Sequence, residues 1–311
     1  MNQYKPEGML ISSFQNHEYV STQKGLEKAL EKQIILEAPA ILCDHDFNLH
    51  VSLGSKMRGI IPKEEVQYNA NEETKDIAIL TRVGKAVSFI VVGFTKDASG
   101  ETVAMLSRRR AQKECMENYI STLIPGDIIP SKITHLENFG AFVDIGCGIV
   151  SLLSIDSISV SRIDHPSTRL SVGDNIFTVV KSVDDRGRIY VSSRELLGTW
   201  EENAAQFTEG ETVRGIVRSI ENYGIFVELK PNLAGLAEYK EDVSVGQTAA
   251  VYIKSIIPEK MKIKLIIIDS HDEERRPEPL EYFIDTASVA HIDNWTYSPK
   301  LCGRTIETVF S

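Results

Sequence analysis

Apolar and polar positions alternate in short runs along much of the chain, the period of a strand with one covered face. Phe226-Val227-Glu228-Leu229 is β-prone, and Val213, Val217 and Ile220 approach one face of the run before it. Asp184-Asp185-Arg186-Gly187-Arg188 reads as a hairpin turn between strands over 177–183 and 189–191. Residues 96–101 and Pro258–Lys260 sit at matching places. Asn138-Phe139-Gly140 and Asn222-Tyr223-Gly224 put a glycine in strand context, which predicts a bulge or sharp bend. Between these β-rich stretches the texture changes. Residues 107–123 and 194–207 lack alternation and predict helices. Residues 21–32 carry Leu26 and Leu30 one turn apart among charges, an amphipathic helix.

The β-rich stretches are copies of one another. Laid along itself at an offset of 84, the chain pairs Gly126 with Gly210 and continues without a gap to Leu152 and Leu236. Glu137/Glu221, Asn138/Asn222, Phe139/Tyr223, Gly140/Gly224, Phe142/Phe226 and Val143/Val227 all coincide. Val172-Gly173-Asp174 then meets Val245-Gly246-Gln247 at an offset of 73, after a loop 11 residues shorter. A degenerate copy precedes both: Val83-Gly84-Lys85 matches the glycine block, and an offset of 92 lays Phe47 on Phe139 and His50 on Phe142. Five short strands with such a bend are what a small Greek-key barrel needs.

Composition sets limits on this picture. A 311-residue chain with 42% hydrophobic and 25% charged residues is globular and long enough for two or three domains. The net charge of −10 argues against nucleic-acid binding by bulk positive charge. The acidity is uneven: the second copy (126–197) holds 7 basic and 9 acidic residues, the third (210–270) holds 8 of each, and the tail 271–311 holds 4 and 8. The four cysteines form no CxxC pair, so a zinc ribbon is excluded and free thiols in a reducing compartment are expected. No apolar run approaches a membrane span, and Glu7 interrupts any signal-peptide core, so a cytoplasmic protein without membrane contact is expected.

The run from Gly126 to Gly146, the later glycine block and the Asp184-to-Arg194 segment together resemble the S1 RNA-binding domain of the bacterial ribosomal protein S1 family. The resemblance is strong in the second copy, good in the third and weak in the first. It implies an all-β fold with helical linkers, namely three tandem five-stranded OB-fold barrels of S1 type. The expected parts are an N-terminal segment (1–31), domains at 32–110, 124–196 and 208–270, and a tail (271–311) that is acidic and then aromatic. Trp295 and Tyr297 of that tail are expected to dock on the third barrel.

Single-stranded RNA offers flat base faces and phosphates. Aromatic rings can stack on any base. The resemblance implies that Phe139 and Phe142 stack bases in the second copy, and Tyr223 and Phe226 in the third. One ring of each pair is alternatively core, with Phe142 and Phe226 the more buried. The family also places an acidic and a basic residue at the Asp184–Arg188 hairpin. Arg188 would then meet phosphate or base, while Asp184 orients it or accepts from a base edge. Lys132 and His135 are further candidate donors. The third copy departs from the pattern: Pro258 stands for the aspartate, Lys262 takes the arginine place, and Glu238 stands where the family often has histidine. Arg218 joins its candidates. In the first copy Phe47 and His50 are remnants of the pair, and first repeats of larger relatives help dock on the ribosome. Arg108-Arg109-Arg110 at the start of the linker predicts a phosphate track, or else a solvated face.

No phosphate-binding loop and no nucleophile–base signature occur, and Asp44-His45-Asp46 reads as a turn rather than a metal site. No catalytic, cofactor or metal residue is therefore expected. The expected function is non-enzymatic binding of single-stranded RNA, mRNA above all, in translation with the small ribosomal subunit. Two alternatives use the same repeats: a module docking on ribosomal or other proteins, and a regulator of RNA decay or transcription.

Overall fold

The computed structural model describes residues 4–54, 57–68, 75–274 and 276–310. Its strands form three closed barrels with one topology. The first contains β1 (Leu36–Cys43), β2 (Leu49–Leu53), β3 (Met57–Ile61), β4 (Ala86–Lys96) and β5 (Thr102–Ser107). The second contains β6 (Ile128–Glu137), β7 (Gly140–Asp144), β8 (Val150–Ser154), β9 (Asn175–Val183) and β10 (Ile189–Ser192). The third contains β11 (Thr212–Glu221), β12 (Gly224–Lys230), β13 (Leu233–Ala237), β14 (Thr248–Ile257) and β15 (Lys262–His271). In each, the third strand pairs in parallel with the fifth, and the fifth returns through the fourth to the first. This is the five-stranded OB-fold barrel three times over.

Alternation fills the interiors. In the third barrel Val217, Ile225, Val227, Val251, Ile253 and Ile263 point inward, fully or almost fully buried. One expected pattern fails. Val217 is buried, but Ile220 is exposed, because a bulge between Val217 and Ser219 shifts the register of β11 and turns the strand's end outward.

The helices are shorter than their segments suggested. α1 (Phe14–Val20), which alternation did not reveal, precedes α2 (Gln23–Lys32), capped by Thr22 and burying Leu26. α3 (Asp76–Leu80) lies within the first repeat. α4 (Arg108–Asn118) is capped by Ser107. Residues 194–207 do not form one helix. Gly198, at φ +83°, ends a short turn, and α5 (Trp200–Ala204) starts afresh on a Thr199/Glu202 capping box.

The chain divides into two compact units. Met1–Leu123 takes with it Pro130–Lys132 and Asp144–Val150; the rest, to residue 311, is the second unit. In the first unit, the Glu7 amide donates to Asp144 at 2.7 Å, Cys147 N–H to the Lys5 carbonyl at 2.9 Å, and Gln112 to the Cys147 carbonyl at 3.1 Å. In the second unit the tail is a packed element. Trp295 and Tyr297 join the third barrel's core cluster, and the Tyr297 hydroxyl donates to the Asn232 carbonyl at 2.5 Å. A two-stranded ribbon, β16 (Asn294–Thr296) with β17 (Glu307–Val309), carries Trp295. The tail reaches further than the expected dock. Ile292 N–H donates to the Gly126 carbonyl, the Ala290 carbonyl accepts from Ile128, and the Tyr282 hydroxyl accepts from Phe177 N–H.

Candidate nucleic-acid interface

In the second barrel, Asn138 and Phe139 form the two-residue turn between β6 and β7. The Phe139 ring stands 55% exposed while Phe142, three residues on, is half-buried. Their centroids lie 6.0 Å apart with the planes at 89°. The His135 ring stacks on Phe142 at 6.3 Å, and its Nε2 lies 2.7 Å from Glu137. The local backbone explains this platform. A Cβ at Gly140 would lie 2.4 Å from the Leu153 carbonyl oxygen, so only glycine lets the chain pass there. The Phe139 carbonyl in turn accepts from Ile155 N–H at 2.9 Å, which pins the exposed ring's backbone.

The third barrel repeats the arrangement. Tyr223 is 70% exposed, Phe226 is half-buried, and their centroids lie 6.1 Å apart at 88°. A Cβ at Gly224 would lie 2.4 Å from the Ala237 carbonyl oxygen. In both barrels the first ring is the open one and the second its wall.

The charged candidates separate. Arg188 is exposed at the β9–β10 hairpin. Asp184 does not orient its guanidinium; one carboxylate oxygen accepts from the backbone N–H of Arg186 (2.9 Å) and Arg188 (2.8 Å) and so shapes the turn. Those donors, Arg188 N–H foremost, hold the Asp184 carboxyl below its usual range. Asp97, in the matching turn of the first barrel, likewise accepts from Ser99 and Glu101. Lys262 is exposed at the start of β15. Lys132 is turned inward, its ammonium donating to the Glu7 carbonyl at 2.9 Å.

Two of the candidate arginines are not available at the surface. Arg218 forks onto Glu228 at 2.8 and 3.0 Å, and Arg169 forks onto the same carboxylate at 2.8 and 2.5 Å. Burial alone would raise the Glu228 carboxyl; the two guanidiniums outweigh it and hold the group ionised. Arg108 is 1% exposed, with Nε and Nη2 on the two oxygens of Glu7 at 2.6 and 3.1 Å and Nη1 on the Val66 carbonyl. The expected phosphate track thus loses its first residue to a buried ion pair, leaving Arg109 and Arg110 exposed. Around the same pair, burial pushes Glu37 and Asp144 up to about 7, although Glu37 accepts three backbone N–H bonds. This buried ionisable cluster had no local sequence signal, because Glu7, Glu37, Arg108 and Asp144 come from four separate segments.

Among the described residues the first barrel shows no such ring pair. Phe47, at φ +62° in the turn after β1, is half-buried against the core with the Lys63 ammonium 4.7 Å from its centroid. His50 lies 3.0 Å from Asp44, whose carboxylate also accepts from Asp46 and Asn48. The Asp44-His45-Asp46 segment is indeed a turn. Among the described residues no three His, Cys, Asp or Glu side chains gather to hold a metal, and no helix is long and apolar enough to cross a membrane.

Sequence reasoning missed outward residues beside the platforms. Tyr190 lies opposite Leu152 on the outer face of the second barrel, between the core residues Ile189 and Val191. Lys264 lies opposite Leu236, itself opposite Phe226, in the third. The alternation Lys262-Ile263-Lys264-Leu265 was the signal that could have found Lys264.

Residues 122–194 match the family of the S1 RNA binding domain. The small ribosomal subunit protein bS1 homolog of Bacillus subtilis is 29% identical over 259 residues, 81% of this chain and 63% of that protein. The chain is a relative of the bacterial bS1 proteins. The Bacillus cereus bS1 homolog is 31% identical over 73% of this chain, and the chain spans 58% of its length. The chain thus spans less than two thirds of these bS1 relatives. Among solved structures, a multidomain protein with nucleic acid binding domains from Streptococcus pneumoniae is similar over 79% of this chain and 76% of its own, at 17% identity and a TM-score of 0.25.

Proposed function

We propose that the chain binds single-stranded RNA, messenger RNA above all, without catalysing a reaction on it. It acts in the cytoplasm, in translation, beside the small ribosomal subunit. The observation that carries this reading is the repeated ring platform, an exposed Phe139 or Tyr223 set edge-on against a half-buried Phe142 or Phe226. A π-face accepts any base, so such a platform suits an unstructured strand of mixed sequence. Arg188 at the second barrel's hairpin adds a cation that can fork onto phosphate or base. The S1 match over residues 122–194 and the bS1 relatives support RNA and the ribosome as partners.

Replacing Phe139 and Phe142 together by alanine weakens binding to an unstructured oligoribonucleotide by about 2–4 kcal/mol, on the usual value per stacked base. Parent affinity in a folded variant refutes the stacking assignment. The first barrel favours a second reading for itself alone, a protein dock. It lacks the ring pair and exposes Ile41 and Leu42 side by side at the end of β1. Migration with small subunits that survives RNase belongs to that reading.

A further inference from the structure

We propose that the third barrel holds RNA in a different way from the second, through a row of three lysines, Lys254, Lys262 and Lys264, that takes backbone phosphates beside Tyr223 and Phe226. The inference rests on the RNA-binding reading above and assigns each barrel its share of the contact.

The register places the row. Phe226 on β12 lies opposite Leu236 on β13, Leu236 lies opposite Lys264 on β15, and Lys264 pairs with Ser255, next to Lys254, on β14. Neighbouring strands are about 4.8 Å apart, so Lys264 stands about 10 Å across the sheet from Phe226. All three lysines point outward, since their strand neighbours Ile253, Ile263 and Leu265 are core. Lys262 and Lys264 have no ion-pair partner among the described residues. Lys254 has one loose one, Glu238 at 4.0 Å, with both groups open to solvent.

The second barrel shows what has been exchanged. Leu152 there faces Tyr190, as Leu236 faces Lys264, and two residues before Tyr190 stands Arg188, as Lys262 stands before Lys264. The second barrel therefore lines this face with a ring and a guanidinium, groups that stack and fork. The third lines it with ammonium groups, which act on phosphate as point charges and do neither. Of the third barrel's two arginines, Arg218 is sealed on Glu228, where Arg169 of the second repeat joins it, and Arg214 is paired with Glu273. The consequence is a division of labour. The second barrel holds bases with little dependence on salt, whereas the third carries most of the counterion release.

The test is RNA affinity from about 50 to 200 mM salt for the parent, for the Lys254→Gln/Lys262→Gln/Lys264→Gln variant and for the Phe139→Ala/Phe142→Ala variant. At about 0.7 per phosphate contact, the lysine variant loses about 2 from the slope of log affinity against log salt. Its affinity then falls about 15-fold less than the parent's across that range. The phenylalanine variant binds more weakly at every salt with the parent's slope. A lysine variant with the parent's slope overturns the proposal and leaves these lysines a solvated or protein-facing surface. A parent that binds no oligoribonucleotide at any salt overturns the underlying reading instead.

Discussion

A cationic side chain meets a phosphate only if it faces solvent, and Arg108 does not. Its guanidinium is committed to Glu7, 101 residues earlier in the chain. Removing one partner of a buried ion pair strands the other charge, at a cost of about 3–5 kcal/mol. Arg108→Ala therefore destabilises the protein by that order in urea unfolding, while Arg109→Ala, on the exposed side of the same turn, leaves the midpoint unchanged. A midpoint for Arg108→Ala equal to the parent's contradicts this. Residue types were legible in the sequence, but their partners were not. Phe139 and Tyr223 announced themselves through the glycine that follows each, because the bend is local. Arg108 and Arg218 did not, because Glu7 lies far off in sequence and Glu228 becomes a sink only once Arg169 has joined it.

At the scale of elements, strands were read well where alternation is regular and turns carry Asp or Gly. β9 and β10 meet across residues 184–188, where the hairpin was expected. Two kinds of feature escaped. The bulge in β11 reverses a face without leaving a distinctive residue. The tail's bonds to Gly126, Ile128 and Phe177 left no local signal, whereas the third barrel was the expected dock of Trp295 and Tyr297. Both are 6% exposed, within the third barrel's core cluster. Trp295→Ala should cost about 3–5 kcal/mol through the lost burial and the cavity left behind. Denaturant unfolding checks this, and a loss below about 1 kcal/mol, the size of an ordinary surface substitution or little more, would show that the tail merely rests on the barrel.

For the whole molecule, the charge of −10 changes meaning once it is placed. The two barrels with ring platforms are close to neutral, and several of their cations are used internally by Glu228, Glu273 and Glu281. What remains is a few placed cations and four rings, so on the proposed reading each barrel alone binds RNA modestly. Affinity then comes from linkage, because a strand held on one platform meets the next at a high local concentration. The most direct test measures the affinity of the full chain for oligouridylates of increasing length. Binding should rise slowly up to one site, about 4–16 nucleotides, then step up by about 100-fold or more once one strand engages both platforms. The step should vanish when Tyr223 and Phe226 are both replaced by alanine. Affinity that stays flat beyond the first site, or a step that survives the loss of those rings, contradicts the account.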